Sequence, residues 1–562
     1  MLKKILYTGS AAIALTAIAT SCTGDFEETN VNPNTLLVGQ LQPYSVFEPN
    51  LYTAAKTPWT NYTWFWNDEL AQYTSFSGGS TREENRYKIG DSNWSSVWSQ
   101  YCNRANNAQH MYELSVEHKV PATEAIALTL KVLFMSNLTD MFGDIPYKEA
   151  FKGRDEENPI ENPRFEPQKE VYEDMFADLE KANEIYATDP TFAKKELDLM
   201  YGGDMKKWQK FNNSLYLRLL MRVSGRTEMN VGVKMTEILN DSKKYPIIIS
   251  NDENATVKWT GLNKYCSYFE TTTKSDFTSS AYHIAQQVIK MTTVFAKMNG
   301  DGTSTRVFQY DDGTSDGVFR YEDPRLPIWA VASDFGWKGC IAGCNPADRG
   351  DSNKNAAQLN YPVLARIDFP VTFMEFSEIN FIAAEAAQRG LIPGGEEAAK
   401  QYYEEGVRAS MRRWSPEGAY SERKTEITED QINFYLAAKN DPLYIDALKV
   451  MGLDCGLGSW DSNDNKLQLI AEQKYLALFW VGMEAYHEIR RTGYPILRIG
   501  DGTDYNDYEY PQRFGYCNTT VANNRAQVDE ALARMGGIND MKTPVWWSQK
   551  AITGKFNSVY TK

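Results

Sequence analysis

Apolar side chains recur every three to four residues through most of this 562-residue chain. That spacing lines one face of a helix, whereas a half-buried strand would need alternation. The pattern predicts helices over 98–117, 122–141, 204–224, 373–389, 395–414 and 467–491, and another opened by Pro167. Between about 227 and 369 the period is lost. Gly, Asn, Asp, Ser and Thr dominate there, around apolar fragments such as 245–249 and 306–310. Such a stretch reads as loops and short strands attached to a helical frame.

The pair 373–414 refines the expectation. Ala383, Ala384, Ala386 and Ala387 make one helix surface small, and Ala398, Tyr402, Tyr403 and Val407 can close onto it. Small residues facing aromatics at about 34-residue spacing resemble a tetratricopeptide unit. The expected fold class is mostly α, a tetratricopeptide-like helix-pair array with an irregular loop-rich region carrying short strands.

The amino terminus carries a different signal. Lys3 and Lys4 precede an apolar run to Ile18, followed by Ala19, Thr20, Ser21 and Cys22. A basic start, a short apolar stretch and small residues form a secretory signal, too short to span a bilayer, which takes about 20 residues. A cysteine at that point resembles the lipobox of bacterial lipoproteins, although Ala19 stands where Leu is commonest. The expected division is a signal peptide over 1–21, a lipidated tether over 22–50 starting at Cys22, and one helical domain over 51–562. Lipid on Cys22 would hold the chain firmly, since each buried methylene contributes about 0.8 kcal/mol. No second apolar run approaches spanning length. The acids Asp25, Glu27 and Glu28 behind the cysteine resemble a surface-export signal of Bacteroidetes lipoproteins.

The net charge is −15. An acidic surface disfavours nucleic acid and anionic lipid as partners and leaves neutral ligands such as sugars open. Cys340 and Cys344 could form a loop-locking bridge or remain two thiols. Asp461, Asn463, Asn465 and Glu472 have EF-hand-like spacing, but Lys466 replaces the required Gly. No cofactor is expected, and a structural calcium near Asp301, Asp311, Asp312 and Asp316 is the weaker reading beside solvated loop acids. Catalytic motifs are missing: no Gly-x-Ser-x-Gly elbow occurs, and His487-Glu488 lacks the second His of a zincin.

Several motifs stand in order along the chain: Asp25-Phe-Glu-Glu-Thr-Asn-Val-Asn-Pro-Asn34, Asp140-Met-Phe-Gly-Asp-Ile-Pro-Tyr-Lys-Glu-Ala150, Tyr201-Gly-Gly-Asp204 with Lys207-Trp-Gln-Lys-Phe-Asn-Asn-Ser214, and Arg490-Arg-Thr-Gly-Tyr-Pro495. Pro511-Gln-Arg513 and Trp546-Trp547 follow. Motifs and order together resemble the SusD/RagB family of nutrient-binding lipoproteins. The resemblance implies a surface protein of the outer membrane that captures a glycan and delivers it to a SusC-like TonB-dependent transporter, without catalysis. A RagB-like peptide binder is the alternative, and a surface glycoside hydrolase a more distant one.

Aromatics make up 13% of the chain. Sugar rings lie on aromatic faces while their hydroxyls take polar partners. Most aromatics must be core, because they bury much area. Those in polar segments without periodicity are the candidate ligand contacts: Arg82, Tyr87 and Trp94 in one region, Tyr265 and Tyr268 in a second, Phe335 and Trp337 beside the Cys340 loop. The dense cluster of Trp59, Tyr62, Trp64, Phe65 and Trp66 reads as core.

Overall fold

A computed structural model describes residues 41–76, 83–155, 157–278, 282–310, 312–345 and 354–548. Cys22 and Arg82 lie outside them, as do the signal, the first family motif and Asp311. The longer helices are α1 (Pro43–Ala54), α2 (Asp91–Glu117), α3 (Pro121–Phe142), α4 (Gln168–Ala187), α5 (Met205–Arg222), α6 (Val231–Asn240), α7 (Phe376–Gln388), α8 (Gly395–Trp414), α9 (Lys466–Ala477), α10 (Glu484–Thr492) and α11 (Arg525–Met535). Consecutive helices pack as pairs: α2 on α3, α3 on α4, α4 on α5, and α7 on α8. Contacts of α5 with α7 join the early pairs to the late one. The fold is thus the helix-pair array that the sequence predicts.

The helix limits follow local chemistry. Asp204 caps α5, its carboxylate accepting the Lys206 and Lys207 amides at 3.0 and 3.1 Å. Gly143 ends α3 at φ +91°, with Pro146 beyond it to prevent continuation. Helix α3 is 22 residues long and apolar enough to cross a membrane by length and composition. This departs from the expectation of no such run, and the reason is packing: 94% of that stretch is buried inside the protein. A helix apolar on all sides is stable when other helices cover it.

The expected helix over 467–491 is two helices, α9 and α10. The break passes through Trp480 at φ +70° and Gly482 at φ +56°. Gly482 lies so close to Trp59 that a Cβ there would stand 2.7 Å from its ring. Tertiary packing overrides the continuous apolar pattern at this point. The aromatic cluster around Trp59 is core, as its pattern suggests. It lies on two wide helical turns, Ala55–Asn61 and Thr63–Asn67, with Trp59 1% exposed and its indole donating to Thr372 O at 2.8 Å.

The irregular region carries most of the strands: β1 (Thr74–Phe76), β2 (Ala255–Val257), β3 (Tyr282–Ile284), β4 (Thr293–Met298), β5 (Ser304–Val307), β6 (Val318–Glu322), β7 (Ala330–Val331), β8 (Gln358–Leu359) and β9 (Val371–Met374). They form antiparallel sheets in the orders β1-β3-β8-β7, β2-β9 and β5-β4-β6. The fragment over 306–310 supplies part of β5, while 245–249 forms no strand.

The loop acids serve local structure. Asp301 accepts the Thr303 amide and hydroxyl, and Asp312 does the same for Thr314. Asn465 caps α9 through the Gln468 amide. The Cys344 thiol donates to the Ile341 carbonyl at 3.3 Å.

Candidate functional site

The three-stranded sheet builds a floor. Phe295 on β4 stands opposite Val307 on β5 and Phe319 on β6, and cross-strand partners share a face. The Phe295 and Phe319 rings meet edge to face at 5.8 Å. Gly317 leads into β6 where a Cβ would fall 2.3 Å from a Val307 methyl, so only glycine brings the chain this close.

A short turn raises the wall. The Ser333 and Gly336 backbones exchange hydrogen bonds of 2.8 and 3.2 Å, and Gly336 takes φ +80°. Phe335 sits at the tip of this turn and is 71% exposed. The Phe335 amide donates to the Ser333 hydroxyl at 3.2 Å, which holds the tip in shape. Phe319, 42% exposed, borders the same cleft, so the two rings together give it an apolar surface rather than one isolated exposed side chain.

Trp337 follows at the base of the wall and is 6% exposed. Its indole N–H donates to the Glu322 carboxylate at 2.5 Å. Arg423 donates to both oxygens of the same carboxylate, and its guanidinium lies 5.8 Å from the Trp337 ring. The Gln309 amide donates to the Trp337 carbonyl. Glu322, Arg423 and Gln309 therefore fix the orientation of Trp337 and leave Phe335 and Phe319 as the accessible rings.

Together these groups enclose a cleft of about 700 Å³. Gln309, Thr314, Ser315, Lys338, Asn355 and Arg423 stand around the aromatic faces. Flat apolar rings bordered by hydrogen-bonding groups suit a polyhydroxylated ring. A larger cleft of about 880 Å³ lies between Asp198–Lys207, the β2-β9 sheet and the end of α8. Several of its cations are already engaged, Arg366 with Asp368 and Glu417 in the wall and Arg413 with Glu375 behind it. Tyr201 is the one aromatic ring among its described lining residues, so it offers little stacking surface.

The other candidate residues lie elsewhere. Tyr87 is 1% exposed and packs edge-on against Tyr510 at 5.8 Å; burial raises its phenol pKa and it presents no face to solvent. Trp94 is half-buried on the first turn of α2, tight against Gly515. Tyr265 and Tyr268 are half-buried on one loop, with Lys264 5.0 Å from the Tyr265 ring and 5.4 Å from that of Tyr52. The cleft thus brings together Phe335 and Trp337, and its described lining includes none of the other four. Phe295, Phe319, Gln309 and Arg423 were missed by sequence reasoning. The two phenylalanines fall in short strands whose pairing no local pattern reveals. Arg423 comes from a segment about a hundred residues from Glu322, its partner.

The chain matches a family model described as "Starch-binding associating with outer membrane" over residues 33–517. No curated protein matches it. Solved structures share its fold. One is called a chitin-binding protein, at 22% identity and TM-score 0.67, covering 90% of this chain and 100% of that one. A SusD homologue from Parabacteroides distasonis has 20% identity and TM-score 0.70, with 90% and 97% covered. A chitin-binding SusD homologue from Flavobacterium johnsoniae has 20% identity and TM-score 0.67, with 90% and 99% covered. A family match across most of the sequence, on a shared fold, places this chain in the SusD-like family.

Proposed function

We propose that the protein captures a glycan outside the cell in the cleft beneath Phe335, held at the outer membrane by lipid on Cys22, and passes it to a SusC-like TonB-dependent transporter. The observation that carries this reading is Phe335, a large apolar ring 71% exposed on a structured turn, lining the same cleft as a second accessible ring, Phe319. Stacking of a sugar on such rings contributes affinity while the bordering amide, hydroxyl and cationic groups take its hydroxyls. The family description and the chitin-binding neighbours support the ligand class.

Capture without hydrolysis fits the lining. Glycoside hydrolysis takes two carboxyl groups flanking the bond, about 5–10 Å apart. Among the described residues lining the cleft there is no Asp or Glu, and Glu322 behind it is engaged by Trp337 and Arg423.

Affinity electrophoresis and titration calorimetry against a panel of polysaccharides test the proposal. Retardation by at least one glycan, lost in Phe335→Ala, is expected. Release of reducing ends would instead mark an enzyme, and a peptide co-purifying with the transporter pair would mark the RagB-like alternative. Fatty-acid labelling lost in Cys22→Ala tests the anchor.

A further inference from the structure

A second cleft, of about 600 Å³, lies away from the sheet. The start of α4, the loop after α5, the end of α11 and the segment 544–548 form it. Trp546 is half-buried there, with Val545, Met535 and Pro167 as apolar neighbours. The Arg226 guanidinium lies over the Trp546 ring, 5.3 Å from its centroid. Among the described residues no carboxylate pairs with Arg226.

The remaining charges favour an anion. Arg534 and Lys169 also line the cleft, against one lining carboxylate, Asp144. Asp144 is already committed: its two oxygens take the Gln168 amide at 2.9 Å and the Arg534 guanidinium at 2.8 Å. Lys169 pairs with Glu173 on the helix surface, and both side chains are over a third exposed. The first residues of the 20-residue helix α4 lie in the wall, so its positive end adds to the field. Three cationic side chains around one satisfied acid is the reverse of the chain's net charge of −15.

A second feature asks for a hydroxyl. Gln168 is 1% exposed and lines the cleft. Its amide N–H donates to the Thr139 carbonyl at 2.7 Å, while its carbonyl Oε1 has no partner. A buried acceptor left unmade costs free energy, and a modest side-chain adjustment toward a bound O–H would recover it.

We propose that this cleft is a second binding site, for a sugar unit carrying a carboxylate. The sugar packs beside Trp546, its carboxylate pairs with Arg226, and a ring hydroxyl reaches Gln168. The inference adds acidic polysaccharides to the ligands of a glycan-capturing chain. Two sites on one chain would also raise avidity for a long polymer, provided that the polymer spans both.

The test is titration calorimetry of the mature chain with an oligogalacturonide and with its carboxyl-reduced counterpart, at low and high salt. The expected result is binding of the acidic form that weakens with salt. Arg226→Gln should reduce that affinity by about tenfold to a hundredfold, the value of a charge-assisted hydrogen bond. Phe335→Ala should leave it within about twofold, because that residue lies in the other cleft. Trp546→Ala should lower affinity for both forms. If it proves unstable by thermal melting, Arg226→Gln, a change at a half-buried side chain, decides alone.

No binding of the acidic oligosaccharide, or binding indifferent to Arg226→Gln, would overturn the proposal. Loss in Phe335→Ala alone would also overturn it, since the acid would then sit in the first cleft. Failure of neutral glycans to bind anywhere would count against the first cleft only.

Discussion

Arg218 and Glu378 form a two-pronged ion pair inside the protein, with Nε to Oε1 at 2.7 Å and Nη2 to Oε2 at 2.5 Å. The two side chains are 1% and 2% exposed. Arg218 belongs to α5 and Glu378 to α7, so the pair joins the early and late helix pairs. It is part of a buried network. Arg222 reaches Asp140, Glu484 and Glu488, and Arg491 reaches Glu385 and Glu488. The motif residues Asp140 and Arg491 are thus part of this buried network, and Arg490 of the same motif donates to the Asp140 carbonyl at 2.7 Å.

Removing one partner strands a buried charge. Arg218→Ala should destabilise the fold by about 3–5 kcal/mol, read by chemical denaturation. The double change Arg218→Met with Glu378→Leu should cost distinctly less, because no uncompensated charge remains. An equal cost for both proteins would show that packing, not charge, dominates at this joint.

The two aromatics on the 333–337 segment should separate cleanly. Phe335→Ala should leave stability within about 0.5 kcal/mol, since the ring is exposed, and should weaken glycan capture by about tenfold or more. Trp337→Ala removes a buried ring and should cost about 3–5 kcal/mol. Denaturation curves and affinity gels on both variants check this pair of outcomes.

Gly482 fixes the break between α9 and α10. Its φ of +56° and its approach to Trp59 both exclude a side chain. Gly482→Ala should destabilise by about 2–4 kcal/mol from strain and overpacking together. Pairing it with Trp59→Leu should recover part of the loss, which a double-mutant cycle measures.

His283 lies in the central strand β3, 8% exposed, and burial lowers its pKa to about 4. The unfolded chain binds this proton at about pH 6.5, the fold only at about 4, so the fold loses stability as pH falls through that window. The loss amounts to about 3 kcal/mol at its acid end. Burial acts the opposite way on Asp140, raising its pKa to about 6, so its contribution falls as pH rises from about 4 to about 6. The two slopes oppose each other in wild type. The stability difference between wild type and His283→Leu should therefore change with pH in favour of the variant at acid pH, and a flat difference would refute the assignment.

Much of the frame was legible in the sequence because helices are local. Asp204, Gly143 and the apolar stripe of 98–117 announce their helices within a few residues of themselves. The structure starts the 98–117 helix earlier, at Asp91, since polar Asp91, Ser92 and Asn93 give no periodic signal but still form its first turn behind the extended N-cap Gly90. The candidate cleft was only half legible. Phe335 and Trp337 stand out in a polar segment, whereas Phe319 and Arg423 become neighbours of them only through strand pairing and a distant ion pair.

From the sequence alone came the helix-pair architecture and the family's ordered motifs, both of which are carried by spacing along the chain. Among the aromatics in polar, aperiodic segments, tertiary structure alone decided which are sealed and which face water. Tyr87 and Phe335 occupy equally polar stretches, yet one is 1% and the other 71% exposed. Exposure depends on what other segments cover a ring, and those segments lie far away in sequence.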